Sequence, residues 1–304
     1  MADRRLRRRV EYSLLARRQS RSRHQSGGPQ GDNLYSCSVL ALDPDTGKIK
    51  WHYQFTPNDS HDWDSTEDML LVDRVWRGQP RKLLLHADRN GVFYVLDRPT
   101  GKLLSATAFV RTNWVSGWDP NGRPILTPGA GASATGNFVY PSLGGGTNFQ
   151  APSYSPLTGL FYTAYHDGGG RFTYGPAVYE PGRQYSGRGG GFAPPPPPAP
   201  GQPADSQGIM AIDPETGKVK WKYELLQNAL QPGVLATGGG LVLAATAEGN
   251  FLALDAGTGA LRWHFYAGAT IPSSPVSYSV NGTQYIAVSS ANVLYSFALP
   301  ATDR

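Results

Sequence analysis

The sequence predicts an all-β fold made of repeated four-stranded units, a partial β-propeller. An eleven-residue phrase that spans Ala41–Trp51 returns at Ala211–Trp221 and again at Ala253–Trp263. A phrase that repeats within one chain indicates repeated structural units. Almost no segment shows helical apolar spacing over a useful length. These observations together favour a repeat protein built of β-sheets.

Each copy of the phrase has the pattern of a β-hairpin. In the first copy, an apolar strand ends at Asp43, a turn closes with Thr46 and Gly47, and an alternating strand follows as far as Trp51. Glycine adopts positive φ without steric cost, and an Asp side chain can bond to the backbone two residues further on. A weaker copy begins at Val95, and Ser105 stands there in place of the Trp. A fifth trace covers residues 154–162.

The spacing of the copies selects a propeller over other β folds. Asp213 and Asp255 are 42 residues apart, and Asp43 and Asp97 are 54 apart. A four-stranded propeller blade with its turns needs roughly 40–50 residues. Residues 33–300 therefore have room for about five blades. The alternative is a β-sandwich in which the turns are alike by chance.

The positive charge of the chain is confined to its first residues. The 304 residues carry a net charge of +5, but nine Arg against Asp3 and Glu11 give residues 1–25 a charge of +7. The remaining residues therefore sum to −2, and the body has no nucleic-acid footprint. Three interpretations of the tail stay open: a basic arm for nucleic acid or anionic surfaces, a targeting segment, or a start or frame artefact. No signal peptide is recognisable, because the apolar run at Leu14 is too short for a secretory core.

The chain is thus expected to have two regions and one insertion. Residues 1–30 are predicted to be an Arg-rich disordered tail, and residues 31–304 a partial propeller. A Gly/Pro-rich loop insertion is predicted over residues 168–206, because three-glycine runs and the prolines of 194–198 do not suit a strand. It is either a tolerated insertion or a docking or lid loop. No run of 18 apolar residues that would predict a membrane span occurs.

Cysteine and histidine give no chemical signature by their spacing. Cys37 is the one cysteine, so no internal disulfide forms, and its alternating strand context indicates a packed side chain. The six histidines have no spacing typical of metal ligands, so no zinc site is expected.

Two polar clusters are candidates for chemistry. Residues 56–68 hold five acids, His61 and Trp63, directly after the first repeat phrase. Carboxylates of this cluster suit a cation such as calcium or general-base chemistry, and the alternative is a solvated acidic loop. Residues 86–91 read His-Ala-Asp-Arg-Asn-Gly between two apolar strands. They predict either a simple hairpin turn or an Arg that holds an anionic ligand.

These motifs resemble the pyrroloquinoline quinone (PQQ)-dependent alcohol dehydrogenases, the methanol and ethanol dehydrogenase family. The resemblance rests on the stretch GDNLYSCSVLALDPDTGKIKW, the HDWD and HADRNG segments and the stretch NFQAPSYSPLTGLFY, and it covers roughly residues 31–300. It implies an eight-bladed propeller that carries PQQ and a calcium or lanthanide ion on its axis. The repeated phrase is similar to the family's tryptophan-docking motif.

The resemblance assigns roles to individual residues. It implies that Asp64 is the catalytic base, which takes the alcohol proton, and also a metal ligand. Thr66 stands where lanthanide members have a second Asp, so calcium is expected. Arg89 is expected to contact the quinone oxygens. Asn148 and Phe149 correspond to an Asn-Trp pair near PQQ, with Phe in place of Trp.

The resemblance also predicts which repeat residues are structural. The tryptophans of the three full copies are expected to dock against alanines of the phrase. The pairs are Trp51 with Ala41, Trp221 with Ala211, and Trp263 with Ala253.

The function implied is that of an N-terminally truncated PQQ-dependent dehydrogenase with about five of eight blades. It would oxidise a small alcohol by hydride transfer to PQQ and pass electrons to a separate acceptor such as a cytochrome c or a quinone. The family resemblance implies a periplasmic location, and open propeller edges would favour self-association. The alternative is a non-catalytic propeller of the same repeat class that acts as a protein-binding scaffold, and a nucleic-acid-binding module would depend on the tail alone.

Overall fold

The computed structural model describes the backbone of residues 13–17 and all atoms of residues 31–173, 181–182, 203–226 and 233–299. These residues form strands and turns but no helix, so none of them provides a helix that could cross a membrane. The strands are β1 (Ser13–Arg17), β2 (Ser38–Leu42), β3 (Ile49–Gln54), β4 (Leu70–Trp76), β5 (Gln79–Ala87), β6 (Val92–Asp97), β7 (Leu103–Ala108), β8 (Val115–Trp118), β9 (Pro124–Leu126), β10 (Asn137–Val139), β11 (Ser153–Ser155), β12 (Leu160–Asp167), β13 (Gly170–Phe172), β14 (Ser206–Ile212), β15 (Val219–Glu224), β16 (Val234–Ala236), β17 (Leu241–Ala245), β18 (Asn250–Asp255), β19 (Leu261–Tyr266), β20 (Val276–Val280), β21 (Thr283–Ser290) and β22 (Val293–Ala298).

The strands pair into separate sheets of blade size in two compact units. The first unit comprises Met1–Glu67, Leu71–Gly146 and Asp167–Asp205, and the second comprises Asp68–Leu70, Thr147–His166 and Ser206–Arg304. In the first unit the described sheets are β1-β2-β3, β4-β5-β6-β7, β8-β9 and β10-β13. In the second they are β11-β12-β14-β15, β16-β17-β18-β19 and β20-β21-β22. Sheets of four sequential strands confirm the predicted fold class, and the number of blades stays a prediction.

The three copies of the repeated phrase form hairpins of the same geometry. The alanine of each phrase lies opposite its tryptophan, in the pairs Ala41–Trp51, Ala211–Trp221 and Ala253–Trp263. A shift of register follows the alanine in each copy. Cross-strand pairing of these residues is therefore present in all three copies, whereas Trp263 is 44% exposed and its docking stays a prediction.

The tryptophan of a phrase also packs on the turn glycine of a later phrase. A Cβ at Gly259 would stand 2.6 Å from the ring of Trp221, and a Cβ at Gly101 would overlap the ring of Trp51. Trp221 Nε1 donates to Ala256 O at 3.0 Å, which ties the ring to the same turn. The repeated glycine thus has two roles, because it takes positive φ in its own turn and leaves room for an indole.

The aspartate of the phrase organises the turn. The Asp255 carboxylate accepts hydrogen bonds from Gly257 N, Thr258 N and Thr258 Oγ1, each at 3.0 Å, and Arg262 Nη2 donates to it at 2.9 Å. The bond from Arg262, followed by those from Thr258, lowers the pKa of Asp255 to about 2. The carboxylate is therefore expected to be ionised throughout the usual range of pH.

The ionisation of Asp255 is expected to make the stability of the fold depend on pH in the acid range. Because the folded pKa lies below the unfolded value, the stabilisation from Asp255 is present above about pH 4 and is lost as the pH falls through about 2. Denaturant unfolding between pH 2 and pH 5 should show a shallower pH dependence for Asp255→Asn than for the wild type. Asp45→Asn, at an exposed carboxylate of the first copy, is the control and should leave the slope unchanged. Equal slopes for the wild type and Asp255→Asn would contradict the assignment.

The predicted insertion contains a strand that the sequence did not indicate. β13, at Gly170–Phe172, pairs antiparallel with β10 inside the segment predicted to be a loop. A Cβ at Gly169 would stand 2.6 Å from the Phe138 ring, and a Cβ at Gly170 would stand 3.2 Å from Ser142 Cα. Glycine is needed at these positions because the backbone packs closely against its neighbours. A rule based on composition alone interprets the same glycines as a loop. Residues 174–180 and 183–202 lie outside the described residues, as does the proline run.

One arginine, Arg111, bonds to residues at both ends of the predicted insertion. Arg111 Nε donates to Asp167 Oδ1 at 2.8 Å, and Arg111 Nη2 donates to Asp205 Oδ1 at 2.8 Å. Asp167 is the last residue of β12, and Asp205 directly precedes β14. The strands β12 and β14 are neighbours in one sheet. Arg111 therefore joins the end of β12 to the residue before β14, and the bounds of the insertion stay a prediction.

The predicted tail is not wholly without structure. Ser13–Arg17 form β1, which pairs antiparallel with β2. The prediction of a disordered tail is therefore wrong for these five residues. The remainder of residues 1–30 lies outside the described residues. The three interpretations of the tail stay predictions.

Candidate active site

The first polar cluster is a folded loop between β3 and β4, not a solvated acidic segment. The Asp59 carboxylate is buried and accepts hydrogen bonds from His61 N at 2.7 Å and from Trp63 N at 2.8 Å. Cys37 is buried beneath it, and its Sγ lies 3.3 Å from Trp63 O, as expected for a packed side chain. These hydrogen bonds satisfy the buried Asp59 carboxylate and thereby stabilise the conformation of this loop.

The Trp63 side chain is held by ring stacking and by a hydrogen bond from its indole nitrogen. It is fully buried and stacks on His61 with ring centroids 4.0 Å apart. Its Nε1 donates to Ser142 O at 3.0 Å, and His61 Nε2 donates to Ala130 O at 2.6 Å. Asp64, the predicted base, follows directly and is half-buried. A buried, hydrogen-bonded Trp63 therefore precedes a carboxylate, that of Asp64, which is only half-buried.

The second cluster is the hairpin turn between β5 and β6. Gly91 N donates to Asp88 O at 2.9 Å, and the Asp88 side chain accepts from Asn90 N at 2.9 Å. Gly91 has a φ of +87°, and a Cβ there would stand 2.8 Å from Thr112. The predicted hairpin turn is confirmed, and it presents Arg89 at its tip.

Arg89 is half-buried and partly engaged. Its Nη2 donates to Leu143 O at 2.7 Å, and its own carbonyl accepts from Gly146 N at 2.8 Å. Its Nε is buried and has no hydrogen-bond partner among the described residues. A guanidinium held at one edge with donors left over suits the recognition of an anion or a carbonyl oxygen.

Asn90 joins the two clusters. Its Nδ2 donates to Thr56 Oγ1 and to Tyr94 OH, each at 3.0 Å, and Trp114 Nε1 donates to its carbonyl at 2.7 Å. Asn90 is fully buried. The loop of Asp64 and the turn of Arg89 thus belong to one hydrogen-bonded assembly within the first unit.

Asn148 and Phe149 belong to the second unit. Phe149 N donates to Asn148 Oδ1 at 2.9 Å, and the Phe149 ring is exposed. Their predicted part in cofactor binding stays a prediction.

A third group, Glu67, His86 and Asp88, was not singled out by sequence. All three are buried, and one potential ligand atom from each lies within 4.8 Å of the others. Burial raises the pKa of Glu67 well above its usual range, and the charge of Asp88 raises it further, while Arg89 opposes the shift. The signal available in the sequence was a His inside the buried apolar run of β5. Asp64, predicted as a metal ligand, is not in this group, and its metal role stays a prediction.

The residues present fit the implied cofactor. A quinone offers carbonyl oxygens, for which the remaining donors of Arg89 are suited. A half-buried carboxylate at Asp64 suits both a hard cation and the acceptance of a proton.

Two family models match the chain. The model described as "Glucose/ethanol/alcohol dehydrogenase, beta-propeller domain" matches residues 19–109, which include both polar clusters. The model described as "Outer membrane protein assembly factor BamB" matches residues 204–300.

Curated relatives extend over most of the chain. It is 37% identical over 289 residues to the quinohemoprotein alcohol dehydrogenase of Comamonas testosteroni, a match that covers 92% of this chain and 40% of the relative. It is 39% identical over 274 residues to the 1-butanol dehydrogenase (cytochrome c) of Thauera butanivorans, with 87% and 39% covered. The chain therefore spans about 40% of the length of these relatives.

Solved structures agree with these matches. The quinohemoprotein alcohol dehydrogenase of Comamonas testosteroni aligns with a TM-score of 0.80 at 35% identity, over 92% of this chain and 42% of that one. A europium-containing methanol dehydrogenase aligns with a TM-score of 0.71 at 32% identity, over 84% and 45%. The fold, the repeat and these matches together indicate the class of quinoprotein β-propellers. The chain belongs to the PQQ-dependent alcohol dehydrogenase family.

Proposed function

We propose that this chain carries the base and the quinone-holding arginine of a PQQ-dependent alcohol dehydrogenase. The observation that supports this is the hydrogen-bonded connection, through Asn90, between the loop of Asp64 and the turn of Arg89. That connection lies in the segment matched by the alcohol dehydrogenase family model.

The chemistry divides between the cofactor and the chain. Bound PQQ would supply a quinone that accepts a hydride from the alcohol carbon. Asp64 would take the proton of the alcohol hydroxyl onto a carboxylate oxygen. Arg89 would hold the quinone oxygens, and the buried Trp63 would exclude water beside Asp64. Loss of a general base commonly slows a reaction by about 10²–10⁴-fold.

We propose calcium as the metal. Thr66 provides a hydroxyl where lanthanide members of the family have a carboxylate. A site with fewer charged ligands favours a divalent ion over a trivalent one. Because a europium-containing relative aligns well, the choice of ion needs its own test. Reconstitution should be compared with calcium and with lanthanum.

The test is reconstitution of the full chain with PQQ and calcium, followed by dye-linked oxidation of ethanol and 1-butanol. The expected result is alcohol-dependent dye reduction that requires both PQQ and the metal ion. PQQ binding without alcohol oxidation would limit the role of the chain to cofactor binding. No PQQ binding at all would overturn the proposal.

A second candidate is a non-catalytic scaffold of the same repeat class. The match of residues 204–300 to the BamB model favours it. Capture of one specific protein partner by a chain that binds no PQQ would support this candidate over the enzyme.

Acceptor, location and assembly follow from the same proposal. Relatives named as cytochrome c-linked and quinone-linked alcohol dehydrogenases support a separate cytochrome c or quinone as acceptor. We also propose a periplasmic location. Self-association through strand edges is proposed because β20 is exposed along its whole length, and sedimentation measurements would test it.

A further inference from the structure

Glu67, His86 and Asp88 converge from three points of the first unit. Glu67 ends the loop that contains Asp64, His86 lies near the end of β5, and Asp88 begins the turn of Arg89. His86 Nε2 lies 3.0 Å from Asp88 Oδ2 and 3.9 Å from Glu67 Oε2. Their side chains are at most 1% exposed. A single imidazole nitrogen therefore faces two carboxylates at full burial.

The ionised form of the Glu67 carboxylate is disfavoured, because burial and the charge of Asp88 outweigh the opposing charge of Arg89. Neither Oε1 nor Oε2 has a hydrogen-bond partner, and His86 Nδ1 has none either. An ionised carboxylate removed from water is strongly unfavourable unless it is paired or coordinates a metal. The second carboxylate, Asp88, adds repulsion. A positively charged species between these groups would relieve both the burial of the Glu67 carboxylate and its repulsion from Asp88.

The donor set indicates which positive species fits. A proton bridges two atoms, whereas three donor atoms here lie within 4.8 Å of one another. Metal bonds of about 2.0–2.2 Å place neighbouring ligands roughly 3–4 Å apart, close to the distances present. One imidazole nitrogen with two carboxylates suits Zn²⁺ and similar transition ions, whereas Ca²⁺ prefers six to eight oxygens.

We propose that Glu67, His86 and Asp88 form a buried site for a divalent transition-metal ion, distinct from the calcium that Asp64 is predicted to bind. The ion would link the end of the Asp64 loop to the start of the Arg89 turn, which Asn90 also joins. This site does not depend on the proposed function, since it needs neither PQQ nor alcohol.

The experiment is a Zn²⁺ titration of the full, untagged chain after removal of metals with a chelator, without PQQ. Bound zinc is counted by elemental analysis and the melting temperature is followed in parallel. The expected result is one equivalent of Zn²⁺ that depends on this site and raises the melting temperature, because the ion binds the folded state. Calcium at the same concentration should not displace the bound zinc, and any rise in melting temperature that calcium causes should be the same in the wild type and in Glu67→Gln.

Glu67→Gln is the decisive variant. It keeps the shape of the side chain and removes a buried charge, so without metal it should fold at least as stably as the wild type. It should bind Zn²⁺ at least about 10-fold more weakly, as expected when a ligand or its closest support is lost. Asp68→Asn, one residue further and exposed, is the matched control and should bind as the wild type does.

Three results would overturn the proposal. The first is that the wild type binds no more zinc than Glu67→Gln does. The second is equal zinc affinity of Glu67→Gln and the wild type. The third is an infrared band of a neutral carboxylic acid that disappears in Glu67→Gln while no metal is bound, because a proton would then fill the site.

Discussion

Replacing Gly259 with Ala is expected to destabilise the fold by about 2–5 kcal/mol. Gly259 has a φ of +75°, and an alanine held in this left-handed region costs about 1–2 kcal/mol. The new Cβ would also stand 2.6 Å from Trp221 Cε3, and an overpacked core site costs about 1–3 kcal/mol more. The measurement is denaturant unfolding followed by tryptophan fluorescence and by circular dichroism.

The chain offers a matched control for this prediction. Gly47 occupies the same position in the first copy with a φ of +69°, but no atom of the described residues lies within 4 Å of a Cβ there. Gly47→Ala should therefore lose only about 1–2 kcal/mol, the cost of the backbone conformation. Equal losses for the two variants would show that tryptophan packing adds nothing to the role of the repeated glycine.

Asp64→Asn is expected to lower the rate of PQQ-dependent alcohol oxidation by about 10²–10⁴-fold. Asn is close to Asp in size but cannot take up the hydroxyl proton at neutral pH. Because Trp63 is buried and fixes the preceding backbone, the substitution should leave the loop conformation intact. The measurement is dye-linked oxidation at saturating alcohol, with PQQ content determined in the same samples.

Asp68→Asn is the control for Asp64→Asn, because it removes the same charge at an exposed position of the same acidic cluster. It should retain full activity. An Asp64→Asn chain that binds PQQ and oxidises alcohol at the rate of the wild type would exclude Asp64 as the base.

The fold was predictable because its information is local and repeated. The hairpin from Ala41 to Trp51 follows from a turn in which Asp, Thr and Gly have fixed offsets, and three copies make chance agreement improbable. The close-packed glycines of β13 escaped prediction, because composition does not show how near Phe138 lies to Gly169. The contacts of Trp51 with Gly101 and of Trp221 with Gly259 escaped prediction for the same reason.

The candidate site was predictable only where residues are neighbours in sequence. Asp64 and Arg89 stand in short motifs that resemble a known family. Glu67 and His86 are 19 residues apart, and only the register of β5 and the path of the preceding loop bring them to 3.9 Å. Sequence spacing therefore excluded a histidine-containing metal site that tertiary structure makes feasible.

Equilibrium dialysis of the full chain against PQQ in the presence of calcium tests whether Arg89 belongs to a PQQ-binding site. We expect saturable binding of one PQQ per chain. Arg89→Met should weaken it by about 10–100-fold, since a charged hydrogen bond contributes about 1.5–3 kcal/mol. Lys102→Met, which removes an exposed positive charge, should leave binding unchanged. No saturable binding of PQQ would contradict the proposed function, and equal affinity of Arg89→Met and the wild type would contradict the proposed role of Arg89.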